Sequence, residues 1–516
     1  MSKGKLILLV VLLVLLIVPP GCRRGSGSEA FVIALGDNIR TIDPIGSPSV
    51  DAASERVRTL IFNTLVKKNE KFEYVGDLAN FTRSDDGLTY TFTLRDGVKF
   101  HDGRVLSSAD VKYTLDLVFS SSFAKSASFF EGEGDKKRSL IQSVEAPDAR
   151  TVIVKLTKPW VGLLSNLVPV AIIPKDSYDS QKTHPLGSGP FKFIRYDNAQ
   201  QVCDMEAFND YWEGAPKLPA VRVRVISDMN ALQAELQAGR VDIAPLPTSL
   251  SPDAVKRLEQ DPNLQVKAFP GSNVVLLTIN TASPPLDNVK VRQAIAYAVD
   301  RESLIKNLLL GYGKIAHSII PEESWSYSAG QTYSYDPATA KRLLNESGVR
   351  FDKPIVYKLS GSSISGRQYA GVIQNQLKEV GIPVEIQTPE QNTLFDELQR
   401  GNFQIAYTQW VGGNQDPIFY KDLFATSEIP TQTHRSRNRS RYSNPELDSL
   451  LDEAVNTFDR TRAKELYTKI QDIVSRDVPV FPLWYQSNIV IAKKNVQNIQ
   501  VNASGDWGFV RNLSRE

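Results

Sequence analysis

The chain has 516 residues, of which 41% are hydrophobic and 23% charged, and its 60 basic and 58 acidic side chains leave a net charge of +2. This composition is typical of a soluble globular protein, and the nearly balanced charge argues against a nucleic-acid-binding protein. The length predicts two or three domains.

The first residues are typical of an export signal. Lys3 and Lys5 precede an apolar run of 13 residues from Leu6 to Val18. Because about 20 apolar residues are needed to span the hydrocarbon core of a membrane, this run favours a secretory signal peptide over a permanent anchor.

The signal ends at Gly21 and Cys22, which resemble the bacterial lipobox, in which the cysteine is diacylated and becomes the new N-terminus. Prolines at 19–20 depart from that pattern, so an ordinary cleaved signal is the alternative. Residues 23–28 are polar and glycine-rich, as a flexible tether requires. We predict a signal peptide over 1–22, lipidation at Cys22, and a location in the periplasm or at the outer face of the cell membrane.

Strands and helices alternate along the mature chain. Apolar residues at every second position predict half-buried strands, at Tyr90–Leu94, Val152–Leu156 and Val221–Val225. Capping residues and apolar stripes predict helices, over 336–348, from Asn444 onward, and over 463–474. The class is therefore mixed α/β.

Catalytic chemistry has little support in the sequence. The histidines lie more than 80 residues apart, at His101, His184, His317 and His434. Once Cys22 is set aside, Cys203 has no partner for a disulfide or a zinc cluster. We therefore predict no catalytic residues, no metal site and no cofactor, although a pair of carboxylates acting as in a glycosidase stays open because acidic residues are abundant.

Several segments, taken in order, resemble the extracellular solute-binding proteins of family 5, which include oligopeptide- and dipeptide-binding proteins. The resemblance runs nearly end to end. The segments are Thr41–Pro44, Ser84–Gly103, Ser108–Tyr113, Pro185–Phe191, Asn209–Gly214, Lys290–Arg301, Tyr335–Leu344 and Tyr442–Asp448.

This resemblance implies the two-lobed periplasmic-binding-protein fold of type II, with three regions, a hinge and a ligand cleft between the lobes. Lobe 1, or region I, would comprise residues 29–50, 168–270 and 480–516. Region II would be an insertion into lobe 1 over 51–167, and lobe 2, or region III, would comprise 271–479.

The resemblance also implies a function. The chain would be a monomeric receptor that captures peptides and delivers them to the permease and ATPase of an ABC importer, and it would be neither an enzyme nor a nucleic-acid partner. Two alternatives stay open. One is a non-peptide solute, such as a sugar, a metal complex or an opine-like compound, and the other is a peptide-binding sensory or chaperone-like surface lipoprotein.

The segment from Trp410 to Pro417 resembles the segment that lines the ligand pocket in the family. In the family, the aspartate before the proline receives the α-ammonium group of the ligand, which predicts this role for Asp416; a turn cap is the alternative. Trp410 would form a flat apolar wall, or else belong to the core. Asn414 of the same segment is included in the predicted site.

Arginines are the candidates for the other end of a peptide. Arg367 resembles an arginine that binds the terminal carboxylate in dipeptide-binding relatives, and an exposed position in the first turn of a helix is the alternative. Arginine also occupies every second position from 435 to 441. If these side chains share one strand face, Arg439 and Arg441 favour an anionic ligand group; a solvated loop is the alternative.

Overall fold

The computed structural model describes residues 30–46, 51–120, 122–132, 137–410 and 416–516. Its two large sheets define two lobes, each with its own hydrophobic core. Trp507 is fully buried in the core of the first lobe and Trp484 in that of the second.

The first lobe is built on a mixed seven-stranded sheet. In spatial order its strands are β10 (Phe191–Asp197), β11 (Val202–Ala207), β12 (Ala220–Val225), β1 (Phe31–Leu35), β13 (Ile243–Pro245), β21 (Asn488–Lys493) and β14 (Leu264–Phe269). β1 pairs in parallel with β12 and β13, and the remaining pairs are antiparallel. The strand predicted at Val221–Val225 is confirmed as β12.

A smaller antiparallel sheet belongs to the same lobe. Its order is β4 (Ala79–Arg83), β5 (Thr89–Leu94), β9 (Thr151–Leu156) and β8 (Ile141–Glu145), which confirms two more predicted strands. Alternate residues of β5 and β9 are buried, as the period-two pattern requires. Three two-stranded pairs complete the lobe: β2 (Val66–Lys68) with β3 (Tyr74–Gly76), β6 (Phe130–Glu131) with β7 (Arg138–Ser139), and β22 (Val496–Gln497) with β23 (Ser514–Arg515).

The second lobe is built on a six-stranded sheet. Its order is β16 (Gly313–Ile315), β20 (Val480–Gln486), β15 (Val274–Ile279), β19 (Ile405–Trp410), β17 (Ile355–Lys358) and β18 (Val384–Gln387). β20 pairs with β15 and β16, although the predicted division assigned residues 480–516 to the first lobe. The chain leaves this sheet only after Gln486, and the wider division into three regions stays a prediction.

Helices cover both sheets. Those of the first lobe are α1 (Ala52–Ile61), α2 (Ser108–Ser120), α3 (Leu163–Leu167), α4 (Tyr178–Gln181), α5 (Met229–Gln237) and α6 (Pro252–Leu258). Those of the second are α7 (Val289–Ala298), α8 (Arg301–Asn307), α9 (Pro337–Ser347), α10 (Ile364–Glu379), α11 (Gln391–Arg400), α12 (Phe419–Phe424), α13 (Pro445–Ala454) and α14 (Arg460–Asp477). Asp336 caps α9 and left-handed Gly348 ends it, as predicted.

The chain crosses between the lobes from β14 to β15 and again from β20 to β21, and the two crossings run side by side. The Gln486 N–H donates to the Asn273 carbonyl at 2.9 Å. The side-chain amide of Asn488 donates to the Pro270 carbonyl at 3.0 Å. A Cβ atom on Gly271 would lie 1.8 Å from the Gln486 carbonyl oxygen, so only glycine permits this close approach.

We expect Gly271→Ala to destabilise the protein by about 1–3 kcal/mol, because the added methyl group must push the crossings apart. Gly371→Ala is the control, since a Cβ atom there, within α10, meets nothing within 4 Å. Gly371→Ala should raise the free energy of unfolding by up to about 1 kcal/mol, because alanine has a higher helix propensity than glycine. Urea denaturation of the two variants measures both effects, and equal stabilities would contradict the prediction.

His101 fixes the turn that carries Gly187 and Gly189. Its Nε2 lies 3.0 Å from the Gly189 carbonyl oxygen, and the Gly187 N–H donates to Nδ1 at 3.4 Å. The ring is therefore neutral, with its proton on Nε2, because Nδ1 already accepts a hydrogen bond. Burial lowers the pKa of His101 to about 4.

This lowered pKa gives folding a pH dependence. Between pH 6.5 and about 4 the unfolded chain binds a proton at His101 that the folded chain rejects, so stability falls as the pH drops through this window. We expect His101→Gln to remove about 3 kcal/mol of that fall. The measurement is the free energy of unfolding as a function of pH. His184→Gln is the control, because His184 is exposed. Identical pH dependence in the wild type and in His101→Gln would contradict the prediction.

Candidate ligand-binding site

Asp416 lies just before α12, and only 8% of the residue is exposed. Its Oδ1 accepts the Ile418 N–H at 3.0 Å, so the turn cap that the alternative interpretation predicts is present. Its Oδ2 faces the first lobe, where it accepts a hydrogen bond from the Tyr74 hydroxyl and lies 3.6 Å from Lys68 Nζ. One carboxylate thus holds its own turn and places negative charge at the junction of the lobes.

Lys68 and Tyr74 were not predicted from the sequence. They are directly opposed across the β2–β3 hairpin, and the Lys68 ammonium lies 5.1 Å from the centroid of the Tyr74 ring. Nothing in the sequence distinguishes Lys68 from the other lysines, because its importance depends on a contact with the other lobe. The hairpin delivers a cation and a hydroxyl donor to the same carboxylate oxygen.

The second lobe holds this hairpin at two further points. The Arg460 guanidinium pairs with Glu73 at 2.9 Å and lies 3.4 Å from the centroid of the Trp325 ring. The backbone N–H of Trp325 donates to the Lys71 carbonyl at 3.2 Å. The contact between the lobes therefore combines charge pairs with a backbone hydrogen bond, and the cation–π interaction of Arg460 with Trp325 lies within the second lobe.

The charge of Asp416 influences the surrounding ionisable groups. Burial lowers the pKa of Lys68, and Asp416 opposes that change. Burial likewise lowers the pKa of Arg460, against the opposing charges of Glu73 and Asp416. Burial, and then the Asp416 charge, raise the pKa of Tyr467 well above its ordinary value. Asp416 is thus the negative centre of the junction.

Trp410 ends β19 and is half-buried. Its ring meets that of Phe419 edge to face, with centroids 5.9 Å apart. The Arg437 guanidinium lies 5.8 Å from the centroid of the Trp410 ring. One side of the indole packs against the core cluster that contains Tyr420 and Tyr467. Trp410 therefore packs partly against the core, as the alternative interpretation predicts. Its role as a wall of the ligand site stays a prediction.

The arginine-rich segment from 435 to 441 forms a loop rather than a strand. Ser436, Asn438 and Ser440 are buried, and the arginines alternate with them. Their environments differ: Arg435 pairs with Asp396 at 2.7 Å, and Arg437 lies 3.4 Å from Asp422. The shared strand face that the anionic-ligand hypothesis required is absent from this segment. Its buried polar side chains form hydrogen bonds with loop neighbours and with the Ala425 carbonyl at the end of α12.

Arg439 and Arg441 lie deeper than the other two arginines. The Arg441 guanidinium donates to the Gln399 carbonyl at 2.8 Å, so its interaction is with the protein backbone. Arg439 lies 5.3 Å from the centroid of the Phe395 ring, and its buried Nε has no hydrogen-bond partner in the described part of the chain. Burial, with the charges of Arg437 and Arg435, lowers the pKa of Arg439. The buried Nε of Arg441 likewise has no hydrogen-bond partner among the described residues, and anion binding by either arginine stays a prediction.

Of the remaining predicted residues, the structure describes Arg367. Arg367 is exposed in the first turn of α10, and its guanidinium donates to the Gly361 carbonyl of the preceding loop. This is the exposed position that the alternative interpretation predicts. Asn414 and Cys22 lie outside the described residues.

Two cavities lie away from Asp416. One, of about 510 Å³, is lined by first-lobe residues that include His101 and Lys192; the other, of about 460 Å³, is lined by second-lobe residues that include Ile305. Neither is lined by both lobes. Across the residues that the structure describes, no group of three or more metal-binding side chains occurs, and no helix is long and apolar enough to cross a membrane.

Comparison with known proteins gives a consistent result. The profile of the bacterial extracellular solute-binding proteins, family 5 Middle, matches residues 73–431. The dipeptide-binding protein of Escherichia coli (strain K12) is 30% identical over 488 residues, which cover 88% of this chain and 89% of the relative. The glutathione-binding protein GsiB of Pectobacterium atrosepticum is 30% identical over 465 residues, 87% of each chain.

A solved structure supports the same fold. The ABC transporter substrate-binding protein CtaP of Listeria monocytogenes superposes with a TM-score of 0.83 at 26% identity, covering 94% of this chain and 99% of that one. The predicted two-lobed periplasmic-binding-protein fold is confirmed.

Proposed function

Because the chain belongs to the bacterial extracellular solute-binding proteins of family 5, we propose that it is the receptor of an ABC importer and captures di- to oligopeptides outside the cytoplasm. The family consists of extracellular solute-binding proteins, so we propose binding rather than catalysis. The partners would be the permease and ATPase of the importer, and the receptor would act as a monomer.

The observation that carries this proposal is the buried carboxylate of Asp416 at the junction of the lobes. A ligand ammonium group that leaves water needs a fixed negative partner, since an unpaired buried charge costs several kcal/mol. A ligand held between two lobes would stabilise their closed arrangement, in which the importer would recognise the receptor.

The names of the relatives support a peptide. One relative is a dipeptide-binding protein, another binds glutathione, which is itself a modified tripeptide, and a structural neighbour is an ABC transporter substrate-binding protein. A metal complex is the second candidate, because one structural neighbour, NikZ from Campylobacter jejuni, was solved with Ni(L-His). None of these relatives is named for a sugar or an opine-like compound.

The peptide proposal is tested with Asp416→Asn, which keeps the turn cap but removes the charge. We expect this change to weaken binding of a dipeptide with a free amine at least about 30-fold, because removing one charge of a buried pair costs about 2 kcal/mol or more. The N-acetylated dipeptide should lose much less. Isothermal titration calorimetry measures both affinities.

The matched control is Asp452→Asn, on the same lobe, whose exposed carboxylate pairs with Lys421. It should leave both affinities unchanged. Equal losses for the free and acetylated peptides in Asp416→Asn would remove Asp416 from the role of ammonium partner. Binding of sugars or metal complexes, with no binding of any peptide, would overturn the peptide proposal.

We further propose that the chain is exported and anchored by lipid at Cys22. Each buried methylene group of an acyl chain contributes roughly 0.8 kcal/mol, so two or three chains hold a protein firmly at a membrane. Residues 23–28 would then separate the folded lobes from the membrane surface.

We expect Cys22→Ala to abolish labelling by an alkyne-tagged fatty acid and to release the protein from the membrane fraction. Cys203→Ala should keep both the label and the membrane association, because that thiol is buried in the first lobe. Cell fractionation and in-gel fluorescence provide the measurements. A wild-type protein without label, or a Cys22→Ala variant with it, would contradict lipidation at this residue.

A further inference from the structure

The turn between β4 and β5 receives an aromatic side chain from the other lobe. Phe458 belongs to the loop that joins α13 to α14 in the second lobe, and the Arg83 guanidinium at the end of β4 lies 3.9 Å from the centroid of its ring. A Cβ atom on Gly87, in the turn, would lie only 2.6 Å from Phe458 Cε2. The ring therefore packs directly against the glycine backbone. We call Arg83 and Gly87 the socket.

The contact is favourable for the arginine as well as for the ring. Arg83 Nη1 is buried and has no hydrogen-bond partner among the residues that the structure describes. A guanidinium over the face of an aromatic ring is attracted to it, and the attraction is stronger where water is excluded. Separation of the lobes would remove this attraction and return apolar surface of Phe458 to water. The socket therefore favours the arrangement in which the lobes are in contact.

Each partner is positioned by its own lobe. The Gly87 N–H donates to the Ser84 carbonyl at 2.9 Å and closes the turn of the first lobe. Phe458 precedes Asp459, whose side chain caps α14 by accepting the Arg462 N–H at 2.6 Å. Because local hydrogen bonds fix both sides, the contact can form and break as the lobes move without any change within either lobe.

We propose that Phe458 is a positioning residue that latches the lobes together and raises the affinity for every ligand by the same factor, without touching the ligand. The proposal rests on the proposed function, since it assumes that the lobes close on a ligand. When only the closed arrangement binds, the apparent dissociation constant is inversely proportional to the closed fraction of the protein. The socket changes that fraction, whereas Asp416 would act on one group of the ligand.

The test compares Gly87→Ala with Gly97→Ala in the purified full chain. The two glycines have φ values of 72° and 69°, so both alanines carry the same backbone strain, but a Cβ atom on Gly97 meets nothing within 4 Å. We expect Gly87→Ala to weaken binding of dialanine and of trialanine by the same factor, about tenfold or about 1.4 kcal/mol, and Gly97→Ala to leave both affinities unchanged. Isothermal titration calorimetry measures the affinities.

Phe458→Ala should weaken both peptides in the same way. When Gly87→Ala is added to Phe458→Ala, the affinities should not fall further, because the new methyl group no longer meets a ring. Phe130→Ala is the matched control, since its ring lies 4.2 Å from Lys137 Nζ within the first lobe, and it should leave both affinities unchanged. Thermal melting establishes that each variant is folded.

Unchanged affinities in Phe458→Ala, or losses that differ between dialanine and trialanine, would overturn the latch, while Asp416-dependent binding of both peptides would uphold the proposed function. If the wild type binds neither peptide, the peptide proposal fails and small-angle X-ray scattering tests the latch without ligand. A larger radius of gyration in Phe458→Ala than in Phe130→Ala would then support the latch, and equal radii would overturn it.

Discussion

The carboxylate of Asp416 is buried and therefore needs positive charge, and that charge comes from the other lobe. Lys68 and Tyr74 reach it from a two-stranded hairpin, while the turn before α12 fixes the carboxylate itself. A buried charge without a partner would cost several kcal/mol, so the relative position of the lobes and the ionic state of their junction depend on each other. This interdependence links the architecture to binding.

The connection between the lobes consists of two neighbouring crossings of the chain. The two crossings lie side by side and are joined through Gln486, Asn273 and Asn488. Gly271 lets the two crossings approach closely. Each large sheet packs on its own hydrophobic cluster, and outside the contacts around Asp416 the lobes also meet where Tyr312 donates to Glu259 and where Arg83 lies 3.9 Å from the centroid of the Phe458 ring. A hinge motion of the kind predicted for this fold would have to change these contacts.

Local signals made much of the fold predictable. The alternation in Thr89–Leu94 reports a surface buried on one side only, and it needs no knowledge of distant residues. The resemblance to a family directed attention to Asp416. It could not identify Lys68 or Tyr74, because Tyr74 lies 342 residues away along the chain and only the folded lobes bring it near. In residues 435–441 the alternation misled, since the buried side chains of Asn438 and Ser440 form hydrogen bonds with Ala425 and with each other and need no sheet.

The Lys68–Asp416 pair also bears on how such a receptor selects its ligand. A carboxylate that faced only solvent would accept any ammonium group, and its preference would depend on the shape of the surrounding pocket. Here the carboxylate already has a cation 3.6 Å away, so an incoming ammonium must either displace that cation or bring a negative charge of its own. Displacement would leave Lys68 buried without a counter-ion, which is the costlier outcome. A ligand that bound at this junction would therefore have to satisfy Lys68 as well as Asp416.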